Sequence, residues 1–225
     1  MRVVTWFLLM AFATHRAAAQ SLVSPDSITV EWARRHLIGG IDAPAPGFGK
    51  TFPCVKSWPE VARALIAIYN DSGRGTLSRA DAILVLGATG QDTAFRFLIS
   101  TLDHTAPNDP LRQDMILALG NSADPPEYVY EWLKRALMSD SRADLGMAAR
   151  ALSDIRSPRA EEIVRAARDA DTATSKAAFF DGTLERFHRG HDRITTPCDS
   201  TMLRPNEGRS IPALTVPRPL NAPPH

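Results

Sequence analysis

The residues with the clearest potential for chemistry sit late in the chain. His188, His191 and Asp192 fall within five positions, and two imidazoles with a carboxylate are ligands that zinc and similar metals accept. Gly190 lies between the histidines and favours a helix end there, so a shared helical face is not assured. The trio therefore stands as a weak candidate metal site beside a plainer reading as solvated residues. Gly47-Phe48-Gly49-Lys50-Thr51 resembles the end of a phosphate-binding loop, but position 44 is Pro where that pattern needs Gly. Pro53 follows almost at once, and outside the cytoplasm no ATP would be at hand, so the match is taken as chance. There is no GxSxG and no HExxH, His36 and His104 stand alone, and the carboxylates are scattered. No catalytic residue and no cofactor are assigned, and a non-catalytic protein is the favoured reading.

Cys54 and Cys198 are the only cysteines. They sit in similar contexts, TFPC and TTPC. An even number in an oxidising compartment predicts a disulfide. It would close a loop of roughly 140 residues, nominally worth about 4–5 kcal/mol on the chain-entropy model. Two separate thiols are the alternative, although no CxxC is present.

The compartment is read from the first nineteen residues. Met1-Arg2 is followed by the mostly apolar run Val3 to Ala13, then by Ala17-Ala18-Ala19. That is the layout of a secretory signal peptide cleaved before Gln20. A membrane span needs about 20 apolar residues, and this run stops near half of that. The expectation is a periplasmic or secreted protein with no stable membrane anchor after cleavage. Arg-rich, Ala- and Pro-rich composition adds a hint of a GC-rich bacterial genome.

The elements that must carry these residues come from an internal repeat. RADAILVLG (79–87), RQDMILALG (112–120) and LGMAARALS (145–153) align at an offset of 33 residues both times. Leu86, Leu119 and Leu152 coincide, as do Gly87, Gly120 and Ser153. Each segment is followed by a second helical pattern: Ala94, Phe97, Leu98 and Leu102; Val129, Trp132, Leu133, Ala136 and Leu137; Ala160, Ile163, Val164 and Ala167. Spacings of 3 and 4 place these on one helical face. Ser78/Asp81, Thr89/Asp92 and Ser141/Asp144 read as capping boxes. Asp109-Pro110, Asp124-Pro125 and Ser157-Pro158 read as caps followed by Pro at the first helical position. One helix pair cannot bury its own stripe, so neighbouring pairs must stack. With a helix opening at Pro59 and a Phe-rich one over 177–187, eight helices are expected from about 59 to 188.

LVLGATGQDTAFRFLISTL (84–102) and ILALGNSADPPEYVYEWLKRAL (116–137) resemble HEAT-like repeats of the short bacterial kind, and the segment 145–167 is a more divergent copy. The resemblance covers about half the chain. It implies an all-α, right-handed α-solenoid of antiparallel helix pairs that serves as a scaffold or protein-binding module. Some lyases acting on bilin chromophores share such repeats, but nothing in this sequence points to a bilin.

The chain then divides into a signal peptide (1–19), an irregular N-terminal flank (20–58), a repeat domain (59–190) and a Pro-rich tail (191–225). Twenty-six basic against twenty-five acidic residues give +1. Removing Arg2 and Arg16 leaves twenty-four against twenty-five, so no broad positive field remains for nucleic acid. The expected partner is another protein, of the envelope or extracellular space, or a second copy of this chain. Tyr128 and Tyr130 lie off the buried stripe of their helix and are the candidate partner-binding aromatics. Arg142, Arg150, Arg156, Arg159 and Arg165 are interleaved with acids, which suits a solvated surface. The alternative reading is a small-ligand or metal-binding protein, or an enzyme, with its site where the flanks cross the helical stack.

Overall fold

The computed structural model describes residues 23–38, 48–170 and 174–188, and these residues build an all-α stack. A 3-10 turn at Pro25–Ser27 leads into α1 (Val30–His36). Then follow α2 (Phe48–Val55), α3 (Pro59–Asn70), α4 (Thr76–Ala88), α5 (Asp92–His104) and α6 (Arg112–Leu119). The stack continues with α7 (Glu127–Leu137), α8 (Arg142–Ile155), α9 (Pro158–Ala170) and α10 (Thr174–His188). Eight of these helices lie between 59 and 188, as the periodicity predicts.

The helices form two rows. One holds α4, α6, α8 and α10, each packed on the next; the other holds α3, α5, α7 and α9. Most consecutive helices also pack across the rows, α3 on α4 and α7 on α8 most extensively, giving a solenoid-like arrangement. The core between the rows is continuous. Leu65, Ile83, Leu86, Leu98, Leu119, Leu133 and Leu152 are each fully buried, and the stripes named above supply most of the remainder. Each such side chain contributes about 1.5–3 kcal/mol by leaving water.

The repeat is visible atom by atom in the first row. Arg79 donates from Nε to the Tyr69 carbonyl at 2.8 Å. Arg112, one repeat later, donates from Nη1 to the Leu102 carbonyl at 2.9 Å. Donor and acceptor have both moved by 33 positions. In each case an arginine at the start of a first-row helix satisfies a carbonyl at the frayed end of the preceding second-row helix. The third unit has Leu145 at that position; its neighbour Asp144 instead accepts from Arg112 at 2.8 and 3.0 Å.

Several local expectations are corrected. Ser141 caps α8 by accepting from the Asp144 amide, and Ser157 Oγ accepts from Ala160 N beside Pro158, as predicted. Ser78, however, lies inside α4, which starts at Thr76, and Thr89 closes α4 rather than opening α5. Its hydroxyl donates to the Leu86 carbonyl at 2.7 Å. The α7 start falls after Pro126, not at Pro125. The stretch through Phe48–Val55, expected to be irregular, is helical despite Pro53. Burial of Phe52, Cys54 and Val55 in the common core outweighs the local propensity there.

The predicted Phe-rich capping helix is α10. It packs on α8 and α9, burying Phe180 while Leu184 and Phe187 lean on the core. No helix among the described residues is long and apolar enough to cross a membrane.

Candidate functional site

The exposed side of the α4–α6–α8 row carries the most chemistry left unspent by folding. Asp81 on α4 and Asp114 on α6 are one repeat apart and half-buried, and neither has an ion pair among the described residues. Burial pushes both carboxyls above the ordinary range, and Asp114 adds to the effect on Asp81 by like-charge repulsion. Three positions on, one helical turn away, stand the half-buried Leu84 and Leu117. The row thus offers a strip of two carboxylates and two leucines.

The second row differs. It carries several matched pairs: Arg159 reaches Glu127 at 2.7 Å, Glu162 at 3.1 Å and Glu131 at 3.6 Å. Arg165 meets Glu161 at 2.6 Å, and Arg96 meets Asp92 at 2.7 Å. Hydrogen bonds from Arg96 and then Tyr128 hold the Asp92 carboxyl below its usual value.

Where the third unit departs from the repeat, the first row opens. Gly87 and Gly120 allow α4 to meet α6, and α6 to meet α8, at backbone contact. The equivalent residue on α8 is Ser153, buried, with its hydroxyl bonded to the Ala149 carbonyl at 2.9 Å. A cavity of about 630 Å³ lies between α8 and α10 at this point, lined by Met147, Arg150, Asp154, Arg156, Phe179 and Arg186 among others. The arginine at 150 occupies the position that Leu84 and Leu117 fill in the earlier units. A second cavity, of about 660 Å³, lies where Ile28–Val30 and Thr93 approach α3. Its floor is apolar, with Ala64 and Ile66, and Glu60 and Arg63 pair at its edge at 3.2 Å.

The residues singled out by sequence are distributed otherwise. Tyr130 is buried at 5% exposure and its hydroxyl bonds Ser157 Oγ at 2.9 Å, so its ring is packed rather than presented. Tyr128 is half-buried; its hydroxyl donates to Asp92 Oδ1 at 2.7 Å, and Arg96 stacks over its ring at 4.9 Å. Burial, and then the bond to Asp92, pushes that phenol well above its usual value. Both tyrosines spend their polar ends on the neighbouring helix. Trp132 is core, as its stripe predicts, with Nε1 donating to Asp103 at 3.1 Å.

His188 ends α10 and is largely exposed, 3.9 Å from Glu161; His191 and Asp192 lie outside the described residues. Among the described residues no group of three or more His, Cys, Asp or Glu is gathered as a metal would need. His36 and His104 each bond a carbonyl one turn back in their own helix, Trp32 and Ser100.

The predicted Cys54–Cys198 disulfide reaches beyond the described residues. No disulfide joins two described residues: Cys54 is buried in the core on α2, and Cys198 falls outside them. Packing and the Arg112–Asp144 pair tie the described helices together. Cys54 is not a free thiol. The signal peptide (1–19) and the Pro-rich tail also lie outside the described residues.

The basic cavity escaped sequence reading because Arg150 and Arg156 were seen among acids along the chain, while Phe179 and Arg186 arrive from a helix some thirty residues on. The one available signal was the exchange of Gly and Leu for Ser153 and Arg150 within the repeat register. Comparison with known protein families, with curated proteins and with solved structures finds no match to this chain.

Proposed function

We propose that this chain is an exported, non-catalytic binding module, a HEAT-like right-handed α-solenoid whose α4–α6–α8 face engages a protein of the envelope or extracellular space. The observation that carries the reading is the pair Asp81 and Asp114, held half-buried without an ion pair among the described residues. Folding gains nothing from carboxylates whose charged forms burial disfavours. A partner that brings Lys or Arg beside them recovers that energy and covers Leu84 and Leu117 in the same step.

Geometry favours the same face. Helices in the first row approach to backbone contact, whereas α5 and α7 touch sparingly. In a curved stack the closer-spaced row lies on the inner side, the usual place for a partner of stacked helical repeats. Export is supported by the N-terminal run through Ala19.

The test is crosslinking of the chain in its native compartment, with mass spectrometry of the adduct and of its N-terminus. The expected result is one near-stoichiometric protein partner on a chain beginning at Gln20. That partner should be lost from Asp81→Lys/Asp114→Lys and retained by Glu127→Lys on the second row. Recovery unchanged by the first-row reversal would overturn the assignment of the face.

A further inference from the structure

We propose that the cavity between α8 and α10 is a binding site for a small organic oxyanion, a carboxylate or phosphate group carried on an apolar or aromatic body. Among the described residues that line it are three arginines, Arg150, Arg156 and Arg186, and one acid, Asp154. Arg150 reaches Asp154 only at 3.9 Å, and neither Arg156 nor Arg186 has an ion pair among the described residues. Arg159 on the second row, by contrast, is matched by three acids. Guanidinium forks suit planar or tetrahedral oxyanions. Met147 and Phe179 supply the apolar part of the wall, Phe179 with 39% of its surface exposed. About 630 Å³ is within the size range of small-molecule sites.

The backbone adds an independent observation. Arg156 holds the left-handed conformation, φ 55°, and is the single non-glycine residue with positive φ among the described residues. Two repeats earlier, at the matching position, Gly90 holds φ 69°. Glycine adopts this conformation freely and arginine does not. The third unit thus shares the left-handed backbone of the first, which the second, with Ala123 there, lacks, and places in it a cation that lines the cavity. Strain retained at a cavity wall is characteristic of functional sites. The same unit exchanges Leu for Arg150 and Gly for Ser153, so two departures from the repeat meet Arg156 at one place.

The site needs no protein partner, so its failure would leave the reading of the α4–α6–α8 face untouched. The experiment titrates the purified protein with phenyl phosphate, benzoate and neutral benzyl alcohol, followed by calorimetry and by the Met147 methyl resonance. At least one oxyanion is expected to saturate the protein at least tenfold more tightly than benzyl alcohol while moving the Met147 signal. Arg150→Gln/Arg186→Gln, checked for native helicity, should weaken that binding at least tenfold, and Arg159→Gln should leave it unchanged. Whichever oxyanion binds more tightly assigns the carboxylate or phosphate class. Equal binding of benzyl alcohol, no saturable binding, or a Met147 signal that does not move would overturn the proposal. The last readout holds even if the double variant fails to fold.

Discussion

Gly87 lies so close to Ala118 that a Cβ built on it would stand 2.0 Å from the Ala118 carbonyl oxygen and 2.6 Å from the carbonyl carbon. One repeat later a Cβ on Gly120 would stand 2.5 Å from the Ala151 carbonyl oxygen. The obstacle is backbone both times, so it cannot swing aside as a side chain would. Gly87→Ala and Gly120→Ala are each expected to destabilise the fold by about 1–3 kcal/mol through overpacking. Gly182→Ala on α10, where nothing lies within 4 Å, should stabilise by about 0.5–1 kcal/mol from helix propensity alone. Urea unfolding of the three variants checks this; equal effects would show that the glycines do not set the row spacing.

Arg112 and Asp144 form the most buried ion pair among the described residues, with side chains 13% and 8% exposed. Arg112 also donates to the Leu102 and Thr105 carbonyls, both at 2.9 Å, so one guanidinium joins α5, α6 and α8. Removing one partner leaves a buried charge unmatched. Arg112→Met or Asp144→Asn should cost about 3–5 kcal/mol, and Arg96→Gln at the exposed, solvent-screened pair with Asp92 far less. The same unfolding measurement separates the two cases.

Asp81 and Asp114 predict a pH dependence of definite sign. Their folded-state pKa values are raised above the ordinary 3.8, so the native state binds more protons than the unfolded state across that window. Stability from these two groups therefore falls as pH rises through it. Asp81→Asn/Asp114→Asn should therefore raise stability at pH 7. The gain should vanish below the ordinary value, where both carboxyls are protonated in either state. Thermal unfolding of the double variant between pH 3 and 7 gives the comparison.

Arg156 offers the opposite trade. Relieving its left-handed backbone with Arg156→Gly should stabilise the protein by about 1 kcal/mol. Arg156→Ala, which keeps the strain and loses the charge, should not. A gain of stability with Gly accompanied by weaker oxyanion binding would show conformational energy held in reserve for a site.

The sequence by itself determined the all-α class, the eight helices between 59 and 188 and the stripes that became core. These are local consequences of period and residue size. An apolar residue every third or fourth position has one face to bury, and a 33-residue repeat sends each face to its neighbour. Tertiary structure alone decided what the polar groups do. Tyr130 lay off the buried stripe on its own helix, yet Ser157, 27 positions later, comes to meet it. Asp144 looked like a capping residue and is also the counter-charge of Arg112 from another unit. Phe48–Val55 became helical because the core receives Phe52 and Val55, which local propensity does not record. The basic cavity needed α10 to bring Phe179 and Arg186 against α8. A polar side chain is satisfied by whichever helix arrives beside it, and its own neighbours in sequence do not carry that information.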